Sequence, residues 1–195
     1  MKKFLIKLNF KVYYLNWCKL YRSIQRRLPG YSIKKQEVSS KVAKIIIKKG
    51  TIKEHWDSII KEFNLKWRAD KWYMLFDVIS DPYISANDHV EDCDGHAAMS
   101  LEFLRDEYTE NGKVYKKRGF VSVINSNLLG GHALGVWEAE DKSLIIISNS
   151  NVHRFISEEE MIKWWNSVKE SKSPSRFVVE YTQDLKFKDV REYSL

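Results

Sequence analysis

The sequence predicts an α+β fold in which a helix that begins at a cysteine packs on an antiparallel sheet, with a basic amphipathic helix at the N-terminus. Apolar residues recur at three- and four-residue steps near the N-terminus and again after Cys93, as expected for helices. From Phe120 to Ile147 apolar residues fall into short runs with a period of two, separated by turn residues, which is typical of strands joined by hairpins. Together these patterns indicate one mixed domain with an N-terminal extension.

Composition supports a single core. A chain of 195 residues with 44% hydrophobic content falls within the size range of one domain. Its two cysteines, Cys18 and Cys93, form neither a disulfide framework nor a paired metal-binding spacing, which favours a reducing compartment. Lys7 and Lys11 interrupt the N-terminal apolar run, and no apolar stretch approaches the roughly 18 residues that cross a bilayer. We expect a cytoplasmic protein without a signal peptide or transmembrane segment, and peripheral membrane association stays open.

Charge divides the chain into a basic arm and a mildly acidic body. Residues 1–50 contain 14 Lys or Arg and a single acid, Glu37, whereas the remaining residues carry a net charge of −6. We place the arm at residues 1–30 and the single globular domain at residues 31–195.

The arm is predicted to be helical from Lys3 to Leu28, because Pro29-Gly30 ends its pattern. Its expected apolar stripe consists of Ile6, Phe10, Tyr13, Trp17, Leu20, Ile24 and Leu28, and Lys7, Lys11 and Arg22 fall on the opposite side. We favour a helix docked on the body with a solvated basic face. Contact of residues 3–28 with an anionic membrane surface or with a partner protein is the alternative, and we do not expect nucleic acid.

The segments after the arm are less regular. Glu37–Lys49 is ambiguous between helix and strand, because β-branched residues are flanked by lysines. Helices are predicted over Ile52–Phe63 and Asp70–Ile79, the second stopped by Ser80-Asp81-Pro82. We expect a polar loop from Ser85 to Asp92.

The central helix and the strands follow. Ala97, Leu101, Leu104 and Tyr108 repeat at helical spacing, with Asn111-Gly112 as the exit from this helix. Ser157 followed by Glu160 matches a capping box that opens a further helix to Val168. The predicted strands are Phe120–Ile124, Ala133–Glu138, Leu144–Ile147 and Arg176–Tyr181.

Cys93 is the candidate nucleophile. A thiol attacks a carbonyl as the thiolate, which the N-terminus of a helix stabilises. Asp92 is a plausible N-cap, so Cys93 falls in the first turn. Its backbone N–H is then a candidate oxyanion donor, an interaction of about 3 kcal/mol. The alternative is a buried, inert cysteine.

His132 is the candidate general base. It opens a strand after Gly130-Gly131, which allow close backbone approach, and imidazole is the base that a cysteine nucleophile requires. A histidine held for structural reasons is the alternative. Cys93 and His132 together indicate a cysteine-dependent enzyme more specifically than either residue alone.

A third residue is expected to orient the imidazole. A two-residue turn at Glu140-Asp141 sets His132 opposite Asn149, which we choose. If the turn has one more residue, Ser150 lies opposite His132. If it has two more, Asn151 lies opposite His132. A structural asparagine at the strand end is the alternative for Asn149.

Asp92-Cys93-Asp94 at a helix start, Gly131-His132 at a strand start and a strand ending in Ser148-Asn149 resemble the bacterial transglutaminase-like cysteine proteinases of the papain-like superfamily. The match covers Trp72 to Val152. The resemblance implies Cys93 as nucleophile, His132 as base, a third residue at Ser148 or Asn149, and acyl transfer from a peptide or protein through a thioester without a cofactor.

Two positions depart from that family. It usually carries an aspartate at the strand end and a second acid where this chain has Gly95. A weak or inactive binding module of the same fold is therefore one alternative. The NlpC/P60 cell-wall peptidases, whose Asp-Cys-x-Gly opening is similar to residues 92–95, are another; they act outside the cytoplasm and rank second.

Ligand-type side chains are concentrated around the cysteine, namely His89, Asp92, Cys93, Asp94, His96 and His132. We expect no metal, because mixed sets without paired cysteines have low specificity. His96 is predicted to line the cleft or contact solvent, and Asp94 and Glu91 to be solvated charges at the helix start.

Overall fold

The computed structural model describes residues 2–68, 79–125, 131–168 and 175–194. The predicted helix Asp70–Ile79, including Trp72, lies almost entirely outside the described residues, as does Gly130. The helices are α1 Lys2–Leu8, a π-helical segment Asn9–Tyr14, α2 Leu15–Gln25, α3 Tyr31–Ile46, α4 Ile52–Glu62, α5 Pro82–Asp88, α6 Cys93–Phe103 and α7 Glu158–Val168. The strands are β1 Lys66–Trp67, β2 Val90–Glu91, β3 Glu107–Glu110, β4 Lys113–Asn125, β5 Gly131–Glu138, β6 Leu144–Ser148, β7 Asn151–Phe155, β8 Ser175–Tyr181 and β9 Phe187–Ser194.

The main sheet has seven strands in the order β7-β6-β5-β4-β8-β9, with β3 beside the first half of β4. Every pairing in it is antiparallel. β1 and β2 form a small parallel pair. Helices and an antiparallel sheet in one chain confirm the predicted α+β class.

The two faces of the sheet carry separate cores. Alternate residues of a strand point to opposite faces, so Ala133 and Trp137 of β5 pack with α6, whereas Leu134 and Val136 pack with α7. The first core also contains α4 and the arm helices. The central helix is therefore covered on both sides.

α6 approaches β5 closely at Gly135. A Cβ at Gly135 would collide with Ser100 Oγ, so a larger residue here would displace that hydroxyl. Further along, Trp137 Nε1 donates to the carbonyl of Arg105, 3.0 Å away. α6 and β5 thus run in the same direction, and the N-terminus of α6 lies toward the end of the sheet where β5 begins.

Three predicted elements are wrong around α6. Within the predicted loop Ser85–Asp92, the first four residues are helical and Val90–Glu91 is β2. The helix forms because Asp81 caps α5 and Pro82 occupies its first turn, where proline is tolerated. α6 ends at Phe103, and Tyr108 belongs to β3. The reason is Asn111-Gly112, whose positive φ angles of 52° and 75° form the β3–β4 hairpin turn rather than a helix exit.

Other predictions are confirmed or resolved. The ambiguous stretch Glu37–Lys49 is helical as far as Ile46, within α3. α4 begins at Ile52 as predicted, behind a capping box of Thr51 and Glu54. Ser157 Oγ accepts from Glu160 N at the start of α7. β7 and β9 were not predicted.

The arm packs on the body, and it does so through polar groups as well as apolar ones. Arg22 is buried, and its Nε donates to the carbonyls of Ile79 and Ser80. Cys18 Sγ accepts from Ile79 N at 3.4 Å. The predicted solvated position of Arg22 is therefore wrong, because two carbonyl groups distant in sequence receive its guanidinium. Within the described ranges, no helix is long and apolar enough to cross a bilayer.

Candidate active site

Cys93 is the first residue of α6, as predicted. Asp92 precedes it in an extended conformation, and its Oδ1 accepts from the backbone N–H groups of Asp94 at 3.0 Å and Gly95 at 3.3 Å. Asp92 is thus the predicted N-cap. Cys93 is half-buried at the edge of the first core, whereas Cys18 is fully buried.

A buried carboxylate lies against the sulfur. Asp94 is 5% exposed, and its Oδ2 accepts from the Tyr14 hydroxyl of the arm at 2.9 Å. Its Oδ1 lies 3.5 Å from Cys93 Sγ, as an acceptor for the thiol. The prediction that Asp94 is solvated is wrong, because the arm covers it. A carboxylate at this distance favours the neutral thiol and so opposes the effect of the helix N-terminus.

Glu91 fills the space left by the absent side chain of Gly95. A Cβ at Gly95 would collide with the carboxyl group of Glu91. The carboxylate of Glu91, four residues before Gly95, therefore lies beside the first turn of α6. Glu91 is partly exposed rather than fully solvated.

Three ligand atoms, one each from Asp92, Cys93 and Asp94, lie within 4.8 Å of one another. The two carboxylates already have structural partners in the helix cap and in Tyr14. The cluster is consistent with a capped helix start and gives no reason to assign a metal.

His96 lies in the core rather than in a cleft. It is 1% exposed, its Nδ1 is 2.7 Å from the carbonyl of Asp92, and its ring meets the edge of Trp56. Burial lowers its pKa, so the neutral ring donates from Nδ1. The prediction that His96 lines the cleft or contacts solvent is wrong, because α6 buries this face between α4 and the sheet.

His132 lies near the start of β5, and its ring contacts Ser148 and Trp165. Nε2 is 2.9 Å from Ser148 Oγ of β6. Trp165 of α7 stacks on the imidazole with 4.5 Å between centroids and 14° between planes. His132 is 8% exposed, so the ring is held by packing as well as by the hydrogen bond. Trp165 is a site residue that sequence reasoning missed.

Ser148, and not Asn149, is the residue that contacts the imidazole. The β5–β6 turn has three residues, closed by Ala139 N donating to Ser143 O and with Lys142 at φ 69°. Gly135 therefore pairs with Ile147, one position away from the register that places Asn149 opposite His132. Ser148 lies diagonally across from His132 on the same face.

The other candidates for the third residue have different surroundings. Asn149 sits at φ 53° in the β6–β7 turn, and its carbonyl accepts from Trp56 Nε1 at 3.0 Å. Asn151 begins β7, where it pairs with Ser148. The predicted contact of Asn149 with the imidazole is therefore wrong, and Ser148, one of the alternatives, makes the hydrogen bond to His132.

Cys93 and His132 come from elements that meet at one end of the sheet. The N-terminus of α6 points to the beginning of β5, as the contacts of Gly135 and Trp137 show. The alternation of β5, however, sends the His132 side chain to the α7 face, whereas Cys93 packs with the core on the α6 face. Proton exchange between sulfur and imidazole therefore stays a prediction.

A surface cleft of about 350 Å³ lies elsewhere, and its lining includes Asp106, Lys117 and Gln183. Lys117 Nζ contacts the carbonyls of Leu101 and Leu104, which places this cleft at the C-terminal end of α6. It does not include Cys93 or His132, so it has no part in the candidate site.

Comparison of the chain with models of protein families, with curated proteins and with solved structures gave no match. The fold and the side-chain geometry therefore carry the functional argument.

Proposed function

We propose that this protein is a cysteine-dependent acyl-transfer enzyme, a peptidase or amidase with a papain-like core, acting on a peptide or protein substrate. The observation that carries the proposal is the half-buried Cys93 at the capped start of α6, at the end of the sheet where His132 is held by Ser148 and Trp165.

The proposed reaction begins with transfer of the Cys93 proton to the imidazole. The sulfur then attacks the substrate carbonyl carbon, and the imidazolium returns the proton to the leaving amine as the C–N bond breaks. Water adds to the resulting thioester and releases the acid and the thiol. No electron acceptor or cofactor is needed.

The helix start offers a limited set of oxyanion donors. The N–H groups of Asp94 and Gly95 donate to the Asp92 side chain. We assign the backbone N–H of Cys93, the first residue of α6, as an oxyanion donor, at about 3 kcal/mol of transition-state stabilisation.

Ser148 limits the proposed rate. Its hydroxyl orients the imidazole through Nε2. A neutral hydroxyl stabilises the imidazolium less than a carboxylate does. We expect a slow enzyme, because a neutral group orients the imidazole.

A binding module of the same fold is the second candidate. It is favoured by the packing of His132 on the α7 face and by the carboxylate of Asp94 beside the sulfur. In this case the site residues hold the fold together and the surface carries the function.

To test this, a proteome is incubated either with the wild-type protein or with Cys93→Ser. Mass spectrometry then compares the new peptide termini, deamidated glutamines and isopeptides in the two samples. Cys18→Ser is the matched control for loss of a thiol. Products that depend on Cys93 and not on Cys18 support the enzyme and identify the acyl acceptor. Identical product sets from wild type and Cys93→Ser would instead support the binding module.

A further inference from the structure

The docked arm leaves a long apolar stripe uncovered. Its members are each between 41% and 66% exposed, and they are Phe4, Leu5, Leu8, Val12, Tyr13, Trp17, Leu20, Ile24 and Leu28. All of them except Leu28 lie in the continuous run of α1, the π-helical segment and α2, which is about 36 Å long at 1.5 Å per residue. An exposed apolar surface of this extent marks an interaction site.

Docking on the body uses a different side of the same helix. Ile6, Cys18 and Arg22 are buried, and Phe10 and Tyr14 between them are half-buried. These positions are four residues apart, and each such step rotates a regular α-helix by about 40°. The wider turns of the π-helical segment offset this rotation. The docking side of the arm therefore faces the body along its whole length, and the apolar stripe faces away from the body.

The sequence prediction of one apolar stripe that packs on the body is therefore only half right. Ile6 and Phe10 do belong to the docking side. Tyr13, Trp17 and Leu20, which were predicted to lie with them, belong to the uncovered stripe instead.

Positive charge surrounds the stripe. Residues 1–30 contain eight Lys or Arg and no acid. Those that are exposed are Lys2, Lys3, Lys7, Lys11, Lys19, Arg26 and Arg27. An apolar stripe bordered by cations matches the boundary of an anionic bilayer, where acyl chains receive the apolar side chains and headgroups receive the cations.

We propose that the N-terminal arm is a docking surface for an anionic membrane and lies in the plane of the lipid headgroups. Tyr13 and Trp17 suit that depth, because their rings are apolar with one polar atom. A second copy of the chain is a poor occupant, since pairing two stripes would bring two sets of lysines together without an acid in either arm.

Membrane docking would place the candidate site close to the lipid surface. Tyr14, in the middle of the arm, donates to Asp94 beside Cys93. The proposal itself rests on the arm alone and holds whether or not Cys93 is catalytic.

The test measures co-sedimentation of the full-length protein with phosphatidylcholine vesicles, with and without phosphatidylglycerol. We expect the protein to bind vesicles that contain phosphatidylglycerol about tenfold more tightly than vesicles of phosphatidylcholine alone. High salt should weaken this binding. Replacing Leu20 and Ile24 together by glutamate is expected to reduce binding at least about tenfold, because the apolar stripe is lost.

Ile156→Glu is the matched control, since Ile156 is 76% exposed in the body and far from the arm in sequence. It should bind like wild type. A second variant, with Lys3, Lys7 and Lys11 changed to glutamine, tests the charge without altering the stripe, and circular dichroism checks that each variant is folded. Equal binding by wild type and both arm variants, or a lipid-free dimer that the Leu20 and Ile24 changes abolish, would overturn the proposal.

Discussion

A hydrogen bond of 2.9 Å joins His132 Nε2 of β5 to Ser148 Oγ of β6. Because the two residues are diagonal neighbours on one face, Ser148 occupies the position from which an acid can orient the ring. A neutral hydroxyl at this position, in place of a carboxylate, is what makes the proposed enzyme slow.

Ser148→Asp is expected to raise the rate of Cys93-dependent turnover by on the order of tenfold, because a carboxylate stabilises the imidazolium. Ser148→Ala should lower it by a similar factor. The measurement is the yield of Cys93-dependent products over time, with Asn149→Ala as the control that should leave the rate unchanged. Equal rates in all three variants would show that Ser148 does not act on the base.

Asp94→Asn is expected to increase the alkylation rate of Cys93 near neutral pH by on the order of tenfold. The change removes a negative charge 3.5 Å from Sγ and so favours the thiolate. Tyr14→Phe is the control, since it removes the hydrogen bond to Asp94 and keeps the charge. An unchanged rate in Asp94→Asn would mean that this carboxylate does not oppose formation of the Cys93 thiolate.

Gly135→Ala is expected to cost about 1–3 kcal/mol of unfolding free energy, because its Cβ would collide with Ser100 Oγ. Ser100→Ala combined with Gly135→Ala should recover most of that cost, since the obstructing oxygen is removed. Urea unfolding of the two single variants and the double variant measures the coupling. Additive costs would contradict the close approach of α6 to β5.

Stability is expected to fall as the solution becomes acidic, in part through Glu180. Burial alone would raise its pKa, but hydrogen bonds and charges from Arg118, Lys188 and Arg191 lower it to about 2. A carboxyl with a lower pKa in the folded state stabilises the protein above its unfolded pKa of about 4.3, and this stabilisation is lost as the pH falls toward about 2.

Glu180→Gln should therefore lose less stability than wild type between about pH 5 and pH 3, with a difference on the order of 2 kcal/mol. Urea unfolding at the two pH values measures it. Glu107→Gln, on a mostly exposed position of β3, is the control and should follow wild type. Parallel losses in wild type and Glu180→Gln would contradict the role of this ion-pair cluster.

The sequence predicted the elements whose signals are local. α4 and α7 begin where capping residues indicate, and Asp92 caps α6 as its side-chain chemistry suggests. The prediction that Asn149 contacts His132 was wrong because one added turn residue, Lys142 at φ 69°, shifts the register of β6 by one position. A lysine in that conformation has no sequence signature.

Long-range contacts account for most other differences. Arg22 and Asp94 look like surface charges in sequence, and they are buried because the arm packs beside Ile79 and α6. The stacking of Trp165 on His132 joins residues from two separate predicted elements. Periodicity identifies that a residue faces inward, and it does not identify which surface covers it.

The most direct measurement of the central claim is the rate of iodoacetamide labelling of Cys93 and Cys18 across pH in wild type and in His132→Ala. We expect Cys93 to react faster than the buried Cys18 at neutral pH. Its labelling rate should stay high at pH values below those at which an ordinary thiol ionises, and His132→Ala should slow it by about tenfold or more. Slow, equal labelling of the two cysteines, or a Cys93 rate that does not change in His132→Ala, would contradict it.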